Sequence, residues 1–292
     1  MIQRLSILGA GLLGASLMQA AKARGVAAEC VAWSRSEATR AVCRNADYCD
    51  AAFETPQEAV AGADVVVACV PVDRIVPLLA GVVPHLKKNA LLTDVGSAKA
   101  AICAEADAAF PPEVRFAGSH PMAGSELNGI AAARADLFEG HLCFVADDAR
   151  SRRAEARDEA AALWRALGMR VRLVDPNEHD AIVAHVSHLP HAVAVALSSA
   201  LAEKPAFWRS CGAGGLRDTT RVSAGDPEVW RAIFEENRNE ILPALDAFAE
   251  RFDALRSALR GNDSAALLEI LAAASAWRRP LSLGGGETEA AK

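Results

Sequence analysis

The sequence predicts an α/β protein, an N-terminal doubly wound parallel sheet followed by an all-α C-terminal domain. Three observations carry that prediction. Up to about Val174, short apolar runs alternate with helical stretches. A glycine-rich turn, Gly9-Ala10-Gly11-Leu12-Leu13-Gly14, stands directly behind the first apolar run. After Asp175-Pro176 the texture changes, and no further convincing strand follows.

The first strand, 5–8, leads through that turn into an Ala-rich helix at 15–23. A strand that ends in G-x-G-x-x-G and opens a helix sets backbone N–H groups and the positive helix end against a pyrophosphate. Gly9 allows the tight turn, Gly11 lets a ligand approach the backbone, and Gly14 lets helix pack closely on strand. This is the Rossmann-type arrangement, and it makes Gly9, Gly11, Leu12, Leu13 and Gly14 candidate cofactor-binding residues. Further strands are expected at 30–33, 65–70, 91–94, 114–117, 142–145 and 171–174, and helices at 37–44, 74–86, 100–109 and 153–167. Continuous apolar strands separated by helices indicate a parallel sheet covered on both faces.

Beyond Pro176, the segment 181–201 is apolar nearly all round and reads as a helix buried on every side. Gly225-Asp226-Pro227 reads as a helix start, with Asp226 as cap and Pro227 in the first turn. Behind it Trp230, Ile233, Phe234, Asn237, Ile241, Leu245, Phe248, Phe252, Leu255 and Leu259 recur at steps of three or four, and Pro243 should kink or split that stripe. So apolar a helical domain points to a subunit interface. The expected boundaries are 1–175 for a dinucleotide-binding domain, 176–283 for a helical substrate and dimerisation domain, and 284–292 for a disordered Gly/Glu/Ala-rich tail.

Composition narrows the class. With 292 residues, 52% hydrophobic and 23% charged, the chain has the texture of a soluble globular protein with ample core. A net charge of −6 gives no reason to expect nucleic acid or an anionic membrane as partner. No stretch reads as a membrane span, and a strand at the very start leaves no room for a signal peptide, so a cytoplasmic location is expected. Seven cysteines (Cys30, Cys43, Cys49, Cys69, Cys103, Cys143 and Cys211) are scattered singly without any C-x-x-C, and they read as small core residues in a reducing compartment.

At the end of the second strand, NAD-binding versions of this fold carry an acidic residue that grips the ribose. Here that stretch reads Val31-Ala32-Trp33-Ser34-Arg35-Ser36. A carboxylate would repel a 2′-phosphate, whereas Arg35 can form charge-assisted hydrogen bonds to one. NADP is therefore expected over NAD, with Ser34, Arg35 and Ser36 at the ribose. The alternative leaves Arg35 solvated and gives the ribose to Glu37.

Two first-domain segments are too polar for simple packing, Thr93-Asp94-Val95-Gly96-Ser97-Ala98-Lys99 and Gly118-Ser119-His120-Pro121-Met122-Ala123-Gly124-Ser125-Glu126. Both follow strands, at the edge where open α/β sheets bind ligands. A histidine there can serve as a general base near neutral pH; a hydrogen-bonded structural histidine is the alternative for His120 alone. In the second domain, His185-Val186-Ser187-His188-Leu189-Pro190-His191 lacks the i, i+4 spacing and the accompanying carboxylate or Cys of a helical zinc site, so no metal is expected. Instead Pro190 should bend the helix and turn one or two histidines to a cleft. Gly212-Ala213-Gly214-Gly215-Leu216-Arg217-Asp218-Thr219-Thr220-Arg221 suits an anion clamp, or else a surface loop with a self-satisfied Arg217–Asp218 pair.

In order along the chain, GAGLLGAS, DVGSAK, SHPMAGSE, HVSHLPHAVA and GLRDTTRVSAGDPEVWRAIFEEN resemble one family, the prephenate/arogenate (cyclohexadienyl) dehydrogenases of tyrosine biosynthesis, and the resemblance runs to about Arg279. Ala98 replaces the Val usual in the GSVK-type turn, and the acidic residue of NAD-using members is missing. The resemblance implies oxidative decarboxylation of prephenate or arogenate by a homodimer. Hydride leaves the hydroxyl-bearing carbon for the nicotinamide, the ring carboxylate departs as CO2, and the ring becomes aromatic. It also implies that His120 polarises or deprotonates the substrate hydroxyl, that Ser97 lies near that hydroxyl, and that Arg221 holds a carboxylate. His188, Ser125, Glu126, Gly214, Asp218 and Trp230 would line or gate the pocket, and Val70 and Pro71 would lie by the nicotinamide ribose. The nearest other enzymes, of the 3-hydroxyacid or pyrroline-carboxylate type, depend on a catalytic Lys or on other second-domain motifs, and no Lys occurs in 181–201. A non-catalytic dinucleotide sensor would leave SHPMAGSE and LRDTTR unexplained.

Overall fold

Six parallel strands lie in the order β3-β2-β1-β4-β5-β6, the doubly wound order in which a crevice opens where the winding reverses. They and their helices are β1 (Ile2–Leu8), α1 (Leu12–Ala23), β2 (Ala27–Trp33), α2 (Glu37–Arg44), β3 (Ala51–Phe53), α3 (Pro56–Val60), β4 (Val65–Ala68), α4 (Ile75–Val82), β5 (Leu91–Asp94), α5 (Ala100–Ala109) and β6 (Arg115–Ala117). The computed structural model describes residues 1–124, 128–147 and 154–280. Leu5, Ile7 and Leu8 of β1 and Val66, Val67 and Ala68 of β4 are wholly buried, because helices cover both faces of the sheet. One face packs under α1 and α6 (Ala154–Ala166), with Trp164 and Phe138 fully enclosed. The other packs under α3, α4 and α5.

Two of the expected strands belong elsewhere. β8 (Leu142–Ala146) and β9 (Arg170–Val174) join β7 (Ser119–Pro121) in a separate three-stranded sheet, with β7 antiparallel and β9 parallel to β8. His120, expected just past a strand, thus sits on a short strand of its own, opposite Phe144. Strands β3 and β7 escape a reading by apolar runs because each is three residues long and lacks alternation.

A continuous helix of 27 residues opens the helical part: α7 (Pro176–Val183), one π turn (Ala184–His188) and α8 (Leu189–Ala202). Asp175 caps it through the Asn177 and Glu178 amides, with Pro176 at its first position. Just before Pro190, where a bend is expected, the backbone takes a π turn, in which the Leu189 amide bonds to the Ala184 carbonyl. Proline has no N–H to give and would crowd the carbonyl of residue 186, and a wider turn relieves both. By length and mean hydropathy of 1.4 this helix could cross a bilayer, contrary to the expectation that no segment could. It is not buried on every side either. Val183, Ala184, His188, His191 and Ala194 face the protein, while Val186 and Val195 are exposed.

The remaining helices are α9 (Gly214–Thr220), α10 (Pro227–Glu236), α11 (Arg238–Arg260) and α12 (Ser264–Arg278). Asp226 caps α10 through the Glu228 amide at 2.9 Å, as expected. Ala232 and Ile233 of α10 dock into the core beneath α3, α4 and α5, so this helix joins the two halves. The break in the apolar stripe falls at Asn237, between α10 and α11, and α11 runs on through Pro243.

Candidate active site

At the carboxyl ends of β1, β2 and β4 lies a cleft of about 1000 Å³. Its floor is the turn Gly9-Ala10-Gly11, one wall is Trp33 to Ser36, the other is Cys69 to Pro71, and α10 contributes Glu228, Val229 and Arg231. The three glycines divide the labour by geometry. Gly9 has φ +109°, and a Cβ there would stand 2.3 Å from the Cys69 carbonyl oxygen. A Cβ on Gly14 would stand 2.1 Å from the Gly9 oxygen, so Gly14 serves close packing. Around Gly11 nothing lies within 4 Å of the Cβ position, which leaves room for a ligand. Gly11, the N-cap of α1, has no side chain to cap it, which suits the first-turn N–H groups to a pyrophosphate. Leu12 and Leu13 pack against the core and can offer only backbone. These features fit a dinucleotide.

Ser34, Arg35 and Ser36 all line the cleft. Ser36 also caps α2, accepting from the Thr39 amide at 3.3 Å. Glu37 ion-pairs with Arg40 at 2.5 Å and Arg44 at 2.8 Å, and the two guanidinium groups hold its carboxyl below the usual range, Arg44 foremost. Arg40 in turn donates to the Ser34 carbonyl at 2.6 Å. Glu37, the first carboxylate along the chain after the second strand, is therefore engaged with Arg40 and Arg44.

A second cluster forms where β5 ends. Asp94 is fully buried, accepts from the Gly96 amide at 2.8 Å and the Ser119 amide at 3.0 Å, and pairs with the equally buried Lys99 ammonium. Buried charges persist only when paired in this way. Thr93 and Ser119 hydroxyls meet at 2.8 Å. Together these bonds fasten β7, and with it His120, to the carboxyl edge of β5. His120 Nδ1 lies 2.9 Å from His179 Nε2, and His179 Nδ1 lies 2.7 Å from Asp180 Oδ1. Asp180, on α7, accepts from the Lys99 amide at 2.7 Å and the Ala100 amide at 2.9 Å, so its carboxylate caps α5. His120 keeps 7% of its surface accessible, and His179 none. Burial first, then His179, Lys99 and His188, holds the His120 imidazole well below its ordinary 6.5.

His188 leaves the π turn into the same region, wholly buried. Its Nδ1 accepts from the Asn237 side-chain amide at 3.1 Å, and that amide also donates to the Asp180 carbonyl at 2.9 Å. His188 Nε2 then carries the proton, buried and without a partner among the described residues. Burial pushes His188 down to about 4, and His191 likewise, so both are neutral near pH 7. His191 stacks on Trp230 at 3.4 Å between ring centroids, and His188 meets the same indole edge-on. His185 is spent on the Ala181 carbonyl at 2.9 Å.

The other expected residues fall as follows. Ser97 is half-buried in the turn between β5 and α5. Arg221 is exposed, on the 3-10 turn Arg221–Ala224, which is tied to α8 by the 2.8 Å Ser198–Ser223 contact. Gly214 opens α9 and is exposed, and Asp218 pairs with Arg217 at 3.0 Å. Val70 and Pro71 line the cleft, whose walls do not extend to His120 or Arg221. Ser125 and Glu126 lie outside the described residues. Lys99, His191 and Asn237 lay in segments that the sequence singles out but were given no individual role, and His179 and Asp180 were not singled out at all.

Residues 19–173 match the family model described as prephenate dehydrogenase, nucleotide-binding domain, and residues 175–273 match prephenate dehydrogenase, dimerization domain. The chain is 34% identical over 271 residues to the cyclohexadienyl dehydrogenase of Zymomonas mobilis, covering 91% of this chain and 92% of that one. The arogenate dehydrogenase structure from Synechocystis is 28% identical with a TM-score of 0.77, covering 95% of this chain and 99% of that one. The A. aeolicus prephenate dehydrogenase, solved with hydroxyphenyl propionate and NAD+, has a TM-score of 0.88 at 24% identity, over 97% and 99% of the two chains, and bears on the fold alone.

Proposed function

The chain belongs to the prephenate dehydrogenase family, and we propose that its buried imidazole cluster and nucleotide cleft carry out one hydride-transfer reaction. That reaction is the NAD(P)-linked oxidative decarboxylation of prephenate or arogenate. A bound nicotinamide supplies the hydride acceptor. Loss of the ring carboxylate as CO2 leaves an aromatic ring, so the overall change is strongly downhill. The protein's task is to remove the hydroxyl proton as the hydride leaves and to hold the carboxylates still.

His120 is the residue assigned to the proton. The observation that carries the assignment is its burial: the ring is neutral, and its lone pair is available to a hydroxyl at neutral pH. Ser97, half-buried in the turn after β5, is assigned to the same hydroxyl. His188 is assigned to a substrate acceptor, because its Nε2–H is a buried donor that no group among the described residues satisfies. Arg221 is assigned to a substrate carboxylate, by charge-assisted hydrogen bonds. Gly214, Asp218, Trp230, Ser125 and Glu126 are assigned to the pocket's rim.

NADP is the proposed cofactor. Arg35 stands in the cleft beside Ser34 and Ser36, and Glu37 is held by Arg40 and Arg44. A homodimer is proposed as well, formed through the helical part. Phe252, Leu268 and Trp277 are 56%, 67% and 72% exposed in the single chain, more apolar surface than a monomer ordinarily shows water. The domain boundary is proposed near residue 175, where the Asp175 cap starts a new helix, and the location is proposed as cytoplasmic. The test is to add prephenate or arogenate to the chain with NADP or NAD and follow the absorbance of the reduced nicotinamide. Turnover with either substrate supports this reading, and cofactor binding without turnover overturns it.

A further inference from the structure

The His120 ring does not stand alone. Its Nδ1 is 2.9 Å from His179 Nε2, and His179 Nδ1 is 2.7 Å from Asp180. Each link constrains the next. Each oxygen of the Asp180 carboxylate accepts a backbone N–H at the start of α5, Oδ1 from Lys99 and Oδ2 from Ala100. An ionised carboxylate can only accept, so the proton between it and His179 belongs to His179 Nδ1. A neutral His179 then has a bare Nε2, which can only accept from His120. His120 must therefore carry its hydrogen on Nδ1, leaving Nε2 as the lone pair. His179 is held neutral by burial, against the pull of Asp180 in the other direction. Phe144 stands edge-on to its ring at 5.3 Å between centroids and helps fix its tilt.

We propose that His179, held by Asp180, is a positioning residue for this dehydrogenase: it fixes the tautomer of His120 so that Nε2 is the atom that takes the substrate's proton. The inference rests on the reading of His120 as the base. When the hydroxyl proton moves to His120 Nε2, the O–H bond breaks and an N–H bond forms. The resulting imidazolium keeps its Nδ1–H directed at His179 Nε2. The Asp180 charge then acts on the imidazolium through His179, as a carboxylate behind an imidazole does in a nucleophilic triad. Lys99 supplies no competing field of full strength, because its ammonium is paired with Asp94. The arrangement also explains why Asp180 spends its carboxylate on α5 as well as on His179. The helix end fixes the carboxylate, the carboxylate fixes His179, and His179 fixes the base.

The test uses the full-length protein, ¹⁵N-labelled at histidine. Without any cofactor, the wild-type ¹⁵N spectrum should show His120 protonated at Nδ1 and bare at Nε2. The His179→Phe variant removes the acceptor, and the Nε2–H form of His120 should appear. Its kcat should fall by about 10²-fold with KM for the cyclohexadiene within about twofold. The His179→Gln variant, whose side-chain carbonyl can accept at the same reach, should recover at least about tenfold of that loss. A wild-type His120 protonated at Nε2 overturns the proposal, as does a His179→Phe enzyme with unchanged kcat. Should His179→Phe fail to fold, the wild-type tautomer and the His179→Gln kinetics still decide. The tautomer is read without turnover, so failure here is distinct from failure of His120 as base.

Discussion

Asn237 and His188 are joined by a 3.1 Å hydrogen bond across the junction between α10 and the 27-residue helix. Asn237 can only donate from the nitrogen that faces His188, so His188 Nδ1 must accept and its proton must sit on Nε2. The same amide donates its other hydrogen to the Asp180 carbonyl at 2.9 Å. One side chain thereby sets the tautomer of His188 and anchors the backbone next to the His120–His179 pair.

Replacing Asn237 by Leu leaves two buried acceptors without donors. The expected cost is about 1–3 kcal/mol of stability, together with a several-fold rise in substrate KM as His188 loses its fixed tautomer. Denaturant unfolding and steady-state kinetics measure the two effects. A variant with wild-type stability and KM would remove Asn237 from this role.

Acid should destabilise the fold in a defined window. Burial holds His188 at about 4, below the ordinary 6.5, and lowers His120 and His179 in the same direction. The unfolded chain therefore takes up these protons first as pH falls. The stability from the neutral rings is complete above about 6.5 and drains as pH falls through about 4. For His188, a displacement from 6.5 to about 4 corresponds to about 3 kcal/mol. Urea midpoints across that range, with His188→Gln as comparison, give the slope. A variant with the same slope as the wild type would show that His188 contributes none of it.

Cofactor choice should follow Arg35. Arg35→Ala is expected to raise KM for NADP by about tenfold or more while leaving KM for NAD nearly unchanged, because only the 2′-phosphate is lost as a partner. Parallel kinetics with both cofactors decide it. Equal effects on the two would return Arg35 to the solvated surface.

The apolar surface of α11 and α12 should hold two copies together. Phe252→Glu combined with Leu268→Glu places charge on side chains that are 56% and 67% exposed in the single chain. Light scattering should report a dimer for the wild type and a monomer for the double variant. A dimer that survives both changes would move the interface elsewhere.

What could be read from the amino acids depended on how local each constraint is. Gly9, Gly11 and Gly14 were legible because each answers a short-range demand: a positive φ, an open approach and a 2.1 Å clash with a neighbouring carbonyl. The Asp226 cap and Pro227 start were legible for the same reason. The split into two sheets was not, since 142–145 and 119–121 choose each other by a pairing that no run of residues announces. Nor was the exposed side of the helix through Ala184–His188, because composition records how apolar a segment is and not which neighbour covers it. His179 and Asp180 were invisible for a related reason. An ordinary His-Asp pair in a helix gains its meaning only when α7 is laid against β7 and the start of α5.

The central claim is that His120 takes the substrate's hydroxyl proton, and His120→Asn tests it most directly. The account predicts a fall in kcat of about 10²–10⁴-fold with KM for substrate held, in a protein whose thermal midpoint matches the wild type. A His120→Asn enzyme that turns over prephenate or arogenate at the wild-type rate would contradict it.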